Sequence, residues 1–272
     1  MRSTIYQIIF LSFLLTFSVG CSKFQKIRKS PDWETKYEAA LKYYEEKDYY
    51  RTNILLEEIL PIIRGTEQAE MANFIYAYSY YYQDQYILSA HYFKTFSEVY
   101  SRSEYAMEAK YMHAYSLYMQ SPSYELDQTS TYEAIAALQI LINQYPYSDY
   151  AVKADELIDE LQVKLERKAY ENAKMYYTIV RYKAALVAFD NFKRDYPDSD
   201  YQDEIAYYAV DAAYQYAMVS VPSKQKERFE TAVTNYEYLV DRFPDSKYVK
   251  DAEKIYMKTI EELSNFADQK NS

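Results

Sequence analysis

The chain has 272 residues, and its 41 acidic side chains outnumber its 31 lysines and arginines, which gives a formal net charge of −10. Nucleic-acid binding depends on clustered positive charge, so this balance argues against a nucleic-acid partner. The chain contains only two glycines and one cysteine, which excludes Gly-rich phosphate loops and an internal disulfide. Long stretches with apolar residues at helical spacing predict an all-α protein.

Residues 1–20 have the layout of a signal peptide. Arg2 precedes an apolar run over residues 5–19, which is shorter than the roughly 20 residues that a membrane-spanning helix needs. Cys21 follows where a lipobox places the residue that is acylated and becomes the mature N-terminus, although Ser18 replaces the usual Leu. We expect a lipoprotein held on a bilayer by acyl chains such as palmitate on Cys21. An incidental Cys behind an ordinary signal peptide is the alternative.

Residues 21–32 are predicted to form a lipidated basic tether. Four cations precede the first acid in this stretch: Lys23, Lys26, Arg28 and Lys29. Such a stretch suits contact with anionic lipid headgroups, and a solvated, flexible connection is the alternative; both can hold. No acid closely follows Cys21, which favours a periplasm-facing location over the cell surface.

Residues 33–267 contain one unit about five times, which is typical of a helical repeat protein. Three similar phrases, at residues 145–150, 196–201 and 243–248, combine a helix stop, a turn and a helix start. In each, a Pro ends one helix and a Ser can cap the next, and Ser199 with Gln202 predicts a capping box. Weaker boundaries lie near residues 63–66 and 100–105. The predicted repeats are approximately 33–65, 66–102, 103–147, 148–198 and 199–245, followed by a capping helix at 246–267.

The second helix of each repeat has a small residue, a large residue four positions later and another large residue after three more. The five sets are Thr52, Leu56 and Ile59; Ser89, Phe93 and Phe96; Ala134, Leu138 and Leu141; Ala185, Phe189 and Phe192; and Ala232, Tyr236 and Leu239. This one-sided pattern is typical of the second helix of a tetratricopeptide (TPR) repeat, in which the small residue lets two backbones approach closely. The predicted fold is an all-α, right-handed superhelix of about five TPR-like helix pairs with a C-terminal capping helix.

The predicted repeats are longer than the standard TPR length of about 34 residues. The cap positions Thr66, Ser103, Ser148, Ser199 and Ser246 lie 37, 45, 51 and 47 residues apart. We expect insertions between the two helices of a repeat at residues 121–131 and 220–224. In the fourth repeat, an extra or extended helix at about residues 151–164 is expected instead.

The first helices carry aromatic pairs seven residues apart on the face that TPR arrays turn to their concave side. The pairs are Tyr37 and Tyr44, Phe74 and Tyr81, Tyr111 and Tyr118, Tyr170 and Tyr177, and Tyr207 and Tyr214. Tyr78, Tyr82 and Tyr115 enrich the N-terminal half. Tyr presents a stiff apolar ring with a polar tip, which suits peptide recognition.

The predicted peptide- or partner-binding groove consists of Tyr37, Tyr44, Phe74, Tyr78, Tyr81, Tyr82, Tyr111, Tyr115 and Tyr118. The alternative is that these rings pack between helices, since the chain holds 37 Tyr. A clamp for a C-terminal carboxylate usually has Lys and Asn on this face, whereas Tyr37, Leu41, Phe74 and Tyr78 occupy the matching positions. We therefore expect a groove that prefers extended apolar or aromatic segments.

The sequence offers no catalytic constellation. His91 and His113 are the only histidines, and no carboxylate cluster accompanies them at metal-ligand spacing. Both are expected to be surface or packing residues, and the acid pairs Glu45-Glu46 and Glu57-Glu58 are expected on solvated faces. We predict no enzyme, no metal site and no cofactor beyond the covalent lipid on Cys21.

The chain resembles the BamD family of lipoproteins, which belong to the bacterial outer-membrane β-barrel assembly machinery. The resemblance extends from the phrase at residues 37–40 to the end of the array. The closest phrases lie at residues 111–114, 126–129 and 193–199. This chain departs from the family in Ser18, in the absence of Pro after the first two repeats and in its heavy Tyr content.

The resemblance implies a periplasmic scaffold on the inner face of the outer membrane. Such a scaffold docks the barrel-forming subunit BamA through its C-terminal repeats, works beside other assembly lipoproteins and receives C-terminal targeting segments of unfolded barrel proteins on its N-terminal repeats. The main alternative is another TPR lipoprotein, such as a secretin pilotin or a factor that coordinates envelope growth. An enzyme is a more distant alternative.

Overall fold

The computed structural model describes residues 23–271, so the predicted signal peptide and Cys21 lie outside the described residues. After a short helical segment at residues 23–28, this part of the chain forms eleven helices and no strand. They are α1 (Trp33–Glu45), α2 (Tyr49–Ile59), α3 (Glu67–Tyr81), α4 (Tyr86–Val99), α5 (Ala106–Met119), α6 (Thr129–Gln144), α7 (Asp149–Thr178), α8 (Tyr182–Asp195), α9 (Gln202–Met218), α10 (Pro222–Arg242) and α11 (Val249–Asn271). The all-α prediction is confirmed.

The chain divides into two compact units, one ending at Leu161 and one beginning at Gln162. In the first unit each helix from α1 to α6 packs on the next, and α1 also contacts α3. In the second unit α8, α9, α10 and α11 pack in sequence, and α9 also contacts α11. This sequential packing of helix pairs is the arrangement of TPR proteins.

The repeated small and large positions form the cores of both units. All five small residues are buried, from Thr52 to Ala232. Nine of the ten large residues are buried as well, and the exception is Tyr236, which is half-buried. Small side chains at these positions permit close contact between helices: the hydroxyl oxygens of Ser89 on α4 and Ser116 on α5 lie 3.0 Å apart. The one-sided sequence pattern therefore identified the core-facing stripe of each second helix.

The turn residues cap the helices differently from the predicted capping box. Ser148 accepts a hydrogen bond from the backbone N–H of Ala151 at 3.1 Å, as an N-cap should. Ser199 accepts from the N–H of Tyr201, but Gln202 does not reach back to Ser199. The buried Gln202 amide instead donates to the carbonyl oxygen of Tyr196. The predicted capping box is wrong because the Gln202 side chain is held at the end of α8, where its amide bonds to the carbonyl oxygens of Lys193 and Tyr196.

A single long helix accounts for the excess length of the fourth repeat. Of the two predicted forms, an extra or an extended helix, α7 is the extended one, with 30 residues. Its N-terminal part packs Ala154, Ile158 and Leu161 into the core of the first unit. Gln162 stands 37 residues before Ser199, as Thr66 stands 37 residues before Ser103. The repeat register of the second unit therefore begins near residue 162 rather than at 148.

The two predicted insertions differ in form. α5 ends at Met119 and α6 begins at Thr129, so the first insertion is an extended connection over residues 120–128. Between α9 and α10 the connection covers only residues 219–221, because Pro222 starts α10. Pro is favoured at the first helical position, where its missing N–H has no partner to lose.

The predicted basic tether is structured from residue 23 onward. Phe24 is buried in the core of the first repeat, where its ring lies 5.8 Å from that of Tyr43. Arg28 forms a 2.8 Å ion pair with Glu58 on α2. The flexible-tether alternative is wrong for residues 23–28, because Phe24 and Ile27 share one helical face and bury it against α1 and α2.

Candidate functional site

Seven predicted groove residues on α1, α3 and α5 form one connected set of rings, the aromatic surface: Tyr44, Tyr78, Tyr81, Tyr82, Tyr111, Tyr115 and Tyr118. Tyr82 is central between the first two repeats. Its ring stacks on Tyr78 at 5.7 Å and lies 6.3 Å from Tyr44. It is also the most accessible member, with 48% of its surface exposed.

The same surface continues onto the third repeat. The rings of Tyr81 and Tyr115 lie 6.1 Å apart and connect α3 to α5. Tyr115 then stacks on Tyr111 at 5.7 Å and on Tyr118 at 5.6 Å. Stacked and edge-on rings at these separations stabilise one another, so the surface is held in one arrangement.

Two predicted groove residues lie elsewhere. Phe74 is 7% exposed and belongs to the core between α3, α4 and α5. Tyr37 is half-buried and packs against the core of the first repeat. For Phe74 the structure shows the packing alternative.

The burial of Phe74 follows from a ring pair that recurs along the chain. The first aromatic residue of a first helix stacks with the Tyr two positions after the next cap. The pairs are Phe74 with Tyr105 at 4.7 Å, Tyr111 with Tyr150 at 4.8 Å, Tyr170 with Tyr201 at 4.1 Å and Tyr207 with Tyr248 at 5.2 Å. These pairs join neighbouring repeats, and the pair with Tyr105 accounts for the burial of Phe74.

Sequence reasoning missed three rings that extend the aromatic surface. Tyr49 stacks on Tyr82 at 4.7 Å, Tyr86 lies 5.8 Å from Tyr81, and Tyr150 contacts Tyr111. Tyr49 and Tyr86 each open a second helix. The sequence contains a signal for Tyr150: in the phrase at residues 145–150, Tyr follows Ser by two positions, as it does in the two later phrases.

Two carboxylates contact the hydroxyls of the aromatic surface. The Tyr78 hydroxyl donates to Glu108 on α5, and the Tyr118 hydroxyl donates to Glu160 at 2.5 Å. Burial, and then the hydrogen bond to Glu108, raise the pKa of Tyr78 above its ordinary value. The hydrogen bond to Glu160, together with burial, raises the pKa of Tyr118 to about 12. These tyrosines are neutral donors at any physiological pH.

The two histidines lie apart from the aromatic surface. The His113 Nδ1 atom is 2.9 Å from the carbonyl oxygen of Ala90, and burial lowers the pKa of the ring. His91 is exposed. Over residues 23–271, no group of three or more His, Cys, Asp or Glu side chains is placed to hold a metal ion.

One of the acid pairs departs from the prediction of a solvated face. Glu45, Glu46 and Glu57 are exposed, as expected. Glu58 instead joins Arg28 at 2.8 Å and Lys36 at 2.6 Å. Burial opposes its ionisation, but these two cations hold the pKa of Glu58 below its usual range. The acid therefore attaches the N-terminal segment to the first repeat.

The second unit carries a separate apolar groove of about 700 Å³ near the turn between α7 and α8. Val180, Val187 and Val219 line it and are 60%, 57% and 70% exposed. Val180 has φ +61°, a left-handed conformation that is an outlier for a β-branched residue. Arg181 and Lys183 also line the groove, and no acid is among its described lining residues.

The packed helix pairs and the two surfaces define a helical-repeat protein of the TPR type. The chain belongs to the YfiO family of outer membrane lipoproteins, whose sequence profile matches residues 31–186 and 164–266. No curated protein matches the chain. Over the described residues, no helix is both long and apolar enough to span a bilayer.

Proposed function

We propose that this protein is a non-catalytic scaffold subunit of an outer-membrane β-barrel assembly complex. It is anchored by lipid on Cys21 to the periplasmic face of the outer membrane, beside other assembly lipoproteins. The observation that carries the proposal is membership of the outer membrane lipoprotein family over most of the chain. No bond is made or broken; the helix pairs hold a barrel precursor near the subunit that inserts it.

We infer that the aromatic surface receives segments of unfolded outer-membrane proteins. An extended segment with alternating aromatic side chains matches a row of partly exposed rings, because apolar side chains can enter the spaces between rings while the hydroxyls stay hydrated. The rings are already packed on one another, so binding requires little ordering of the protein. This supports a site for many different barrel proteins rather than one sequence.

We infer that the groove beside Val180 docks the BamA-like barrel-forming subunit. Large exposed apolar patches on a soluble domain mark interaction sites, and here three valines lie beside two cations in a chain of net charge −10. A partner surface that is apolar with an acidic rim would complement this groove. The strained turn at Val180 supports the same inference, since backbone outliers cluster at binding sites.

Affinity purification from solubilised membranes tests the scaffold proposal. We expect a barrel-forming subunit to co-purify with the lipidated chain, and depletion of the chain to reduce outer-membrane barrels in general. Purification of a complex that lacks any barrel-assembly subunit would contradict the proposal. Loss of a single secretin on depletion would support a pilotin instead.

Two sets of variants separate the surfaces. Tyr81→Ala and Tyr82→Ala together should weaken crosslinking to barrel-protein segments and leave co-purification of the barrel-forming subunit intact. Val187→Asp should weaken co-purification of the barrel-forming subunit and leave crosslinking to barrel-protein segments intact, because a charge in the groove opposes apolar docking. Val152→Asp, at a valine of similar exposure (63%) in the first unit, is the matched control. Equal effects of Val187→Asp and Val152→Asp on co-purification would contradict the assignment of the groove.

A further inference from the structure

The two units contain the same local arrangement 96 residues apart. Phe74 stacks on Tyr105 as Tyr170 stacks on Tyr201. Ser103 donates to Glu70 as Ser199 donates to Glu166. The left-handed turn residues Asp84 and Val180 also correspond. Residues 66–118 and 162–214 can therefore be compared position by position.

The two units differ in charge at one pair of corresponding positions, Tyr78 in the first unit and Lys174 in the second. In the second unit Lys174 donates to Glu204 at 3.1 Å, and its ammonium lies 5.2 Å from the ring centroids of both Tyr170 and Tyr208. Although burial opposes it, hydrogen bonds to Tyr170 and Glu204 raise the pKa of Lys174. A cation of the chain itself thus occupies a site made of one carboxylate and two aromatic rings.

In the first unit a carboxylate stands at the position of Glu204, but no lysine stands at the position of Lys174. Glu108 stands 96 residues before Glu204, and Tyr78 takes the place of Lys174. The Tyr78 hydroxyl donates to Glu108. Among residues 23–266, no Lys or Arg nitrogen forms an ion pair with Glu108.

Several rings from three helices surround Glu108. Besides Tyr78, its charge acts on Tyr44, Tyr82 and Tyr150; burial is the main cause of the raised pKa of each, and Glu108 adds to it. Glu108 itself is partly exposed at the aromatic surface. A neutral hydroxyl satisfies one acceptor position of the carboxylate and leaves its charge unbalanced.

We propose that Glu108 and the tyrosines around it form a binding site for a cationic side chain, an arginine or lysine of the segment that the aromatic surface receives. The inference rests on the proposed function of that surface and adds a charge requirement to it. The ligand cation contacts Glu108, which corresponds to Glu204, the carboxylate that Lys174 pairs with in the second unit. Arginine fits best, because its planar guanidinium can stack on a Tyr ring while it donates to a carboxylate.

Peptide binding to the mature chain in detergent tests the site. The probes are fluorescent decapeptides with alternating aromatic residues, in which one Arg occupies each position in turn, and matched peptides with neutral citrulline. We expect at least one Arg peptide to bind about tenfold tighter than its citrulline partner, as a desolvated cation–π contact with an added charge-assisted hydrogen bond allows. Glu108→Gln should remove this preference, because the amide can still accept from Tyr78 but carries no charge.

Replacing Tyr78 gives a second, independent test. Tyr78→Lys should place an ammonium on Glu108 as Lys174 is placed on Glu204, and so abolish the preference for Arg. Tyr78→Met is the matched variant without charge, and it should retain more of the preference than Tyr78→Lys does, because Glu108 and the other rings remain. Glu133→Gln, on an exposed carboxylate of α6, is the control for a general charge effect. Thermal unfolding identifies any variant that fails to fold. If a Tyr78 variant fails to fold, the result for Glu108→Gln decides whether the cation site exists.

The outcomes separate this inference from the function on which it rests. Equal binding of Arg and citrulline peptides to the unaltered chain, or a preference that survives Glu108→Gln, would overturn the cation site and leave the aromatic surface as a peptide groove. Absence of binding by every peptide would overturn both.

Discussion

Phe74 lies in the middle of α3 and Tyr82 directly follows its last residue, yet one is buried in the core and the other is the most exposed ring of the aromatic surface. Their side chains were both predicted to line a groove. The difference arises from the next repeat: Tyr105 covers Phe74, whereas Tyr82 meets only rings that are themselves at the surface. Residue type and spacing do not contain this information.

Phe74→Ala should destabilise the protein by about 3–5 kcal/mol, because a buried ring leaves a cavity between three helices. Tyr82→Ala should cost less than about 1 kcal/mol in stability, since the side chain is half exposed. Urea unfolding followed by circular dichroism measures both. Similar losses for the two variants would contradict the division between core ring and surface ring.

His113 predicts a specific pH dependence of stability. Burial lowers its pKa in the folded state, while the unfolded chain titrates near the ordinary value of 6.5. The unfolded state therefore binds more protons, and stability should fall as pH drops from about 7 to about 5. His113→Gln, which can still bond to the Ala90 carbonyl, should reduce the change of the thermal unfolding midpoint with pH over this range. His91→Gln, at the exposed histidine, is the matched control.

At the scale of elements, the turns between first and second helices place one residue in the left-handed region. Lys47, Asp84 and Val180 have φ of 61°, 57° and 61°. Asp tolerates this conformation, whereas Val, with its branched Cβ, is strained by roughly 1–2 kcal/mol. Such a residue survives in a solvent-exposed turn when another property, here the apolar groove, depends on it.

Val180→Gly should raise the free energy of unfolding by about 1 kcal/mol, because glycine adopts this turn without strain. It should also weaken co-purification of the barrel-forming subunit, so stability and binding change in opposite directions. Asp84→Val is the reciprocal variant and should lower stability by a similar amount. A destabilising Val180→Gly would show that the valine packs better than its exposure indicates.

The N-terminal segment is the second element whose structure the sequence did not reveal. Phe24→Ala should release residues 23–28 from the first repeat, because the Arg28–Glu58 ion pair alone is too exposed to hold them. Limited trypsin digestion should then cleave faster after Lys26 and Lys29. Gln25→Ala, at an exposed position of the same segment, is the control. Unchanged cleavage would mean that the ion pair is sufficient.

At the scale of the whole molecule, α7 belongs to the cores of both units. A fragment ending at residue 178 keeps Ala154, Ile158 and Leu161 over the core formed by α5 and α6. A fragment ending at residue 144 exposes Leu138 and Leu141, which are otherwise buried. We expect the first fragment to unfold cooperatively and to bind aromatic peptides, and the second to aggregate. Size-exclusion chromatography and thermal unfolding distinguish these results.

The order of residues along the chain already specifies the helical class and the core stripe of the second helices. These features depend on neighbours along the chain: Pro ends a helix, and residues three and four apart share a face. The family resemblance rested on the same local phrases. The lipid anchor at Cys21 stays a prediction.

The tertiary fold sets which aromatic residues are accessible, where the fourth repeat begins and how residues 23–28 pack. Each depends on contacts between residues distant in sequence: Tyr105 covers Phe74, Leu161 joins the core formed by α5 and α6, and Phe24 packs against Tyr43. The unpaired charge of Glu108 also depends on the fold. The contact between Lys174 and Glu204 in the second unit shows that the first unit has no lysine at the corresponding position. A pattern along one helix predicts its face, whereas the partner of that face depends on the fold.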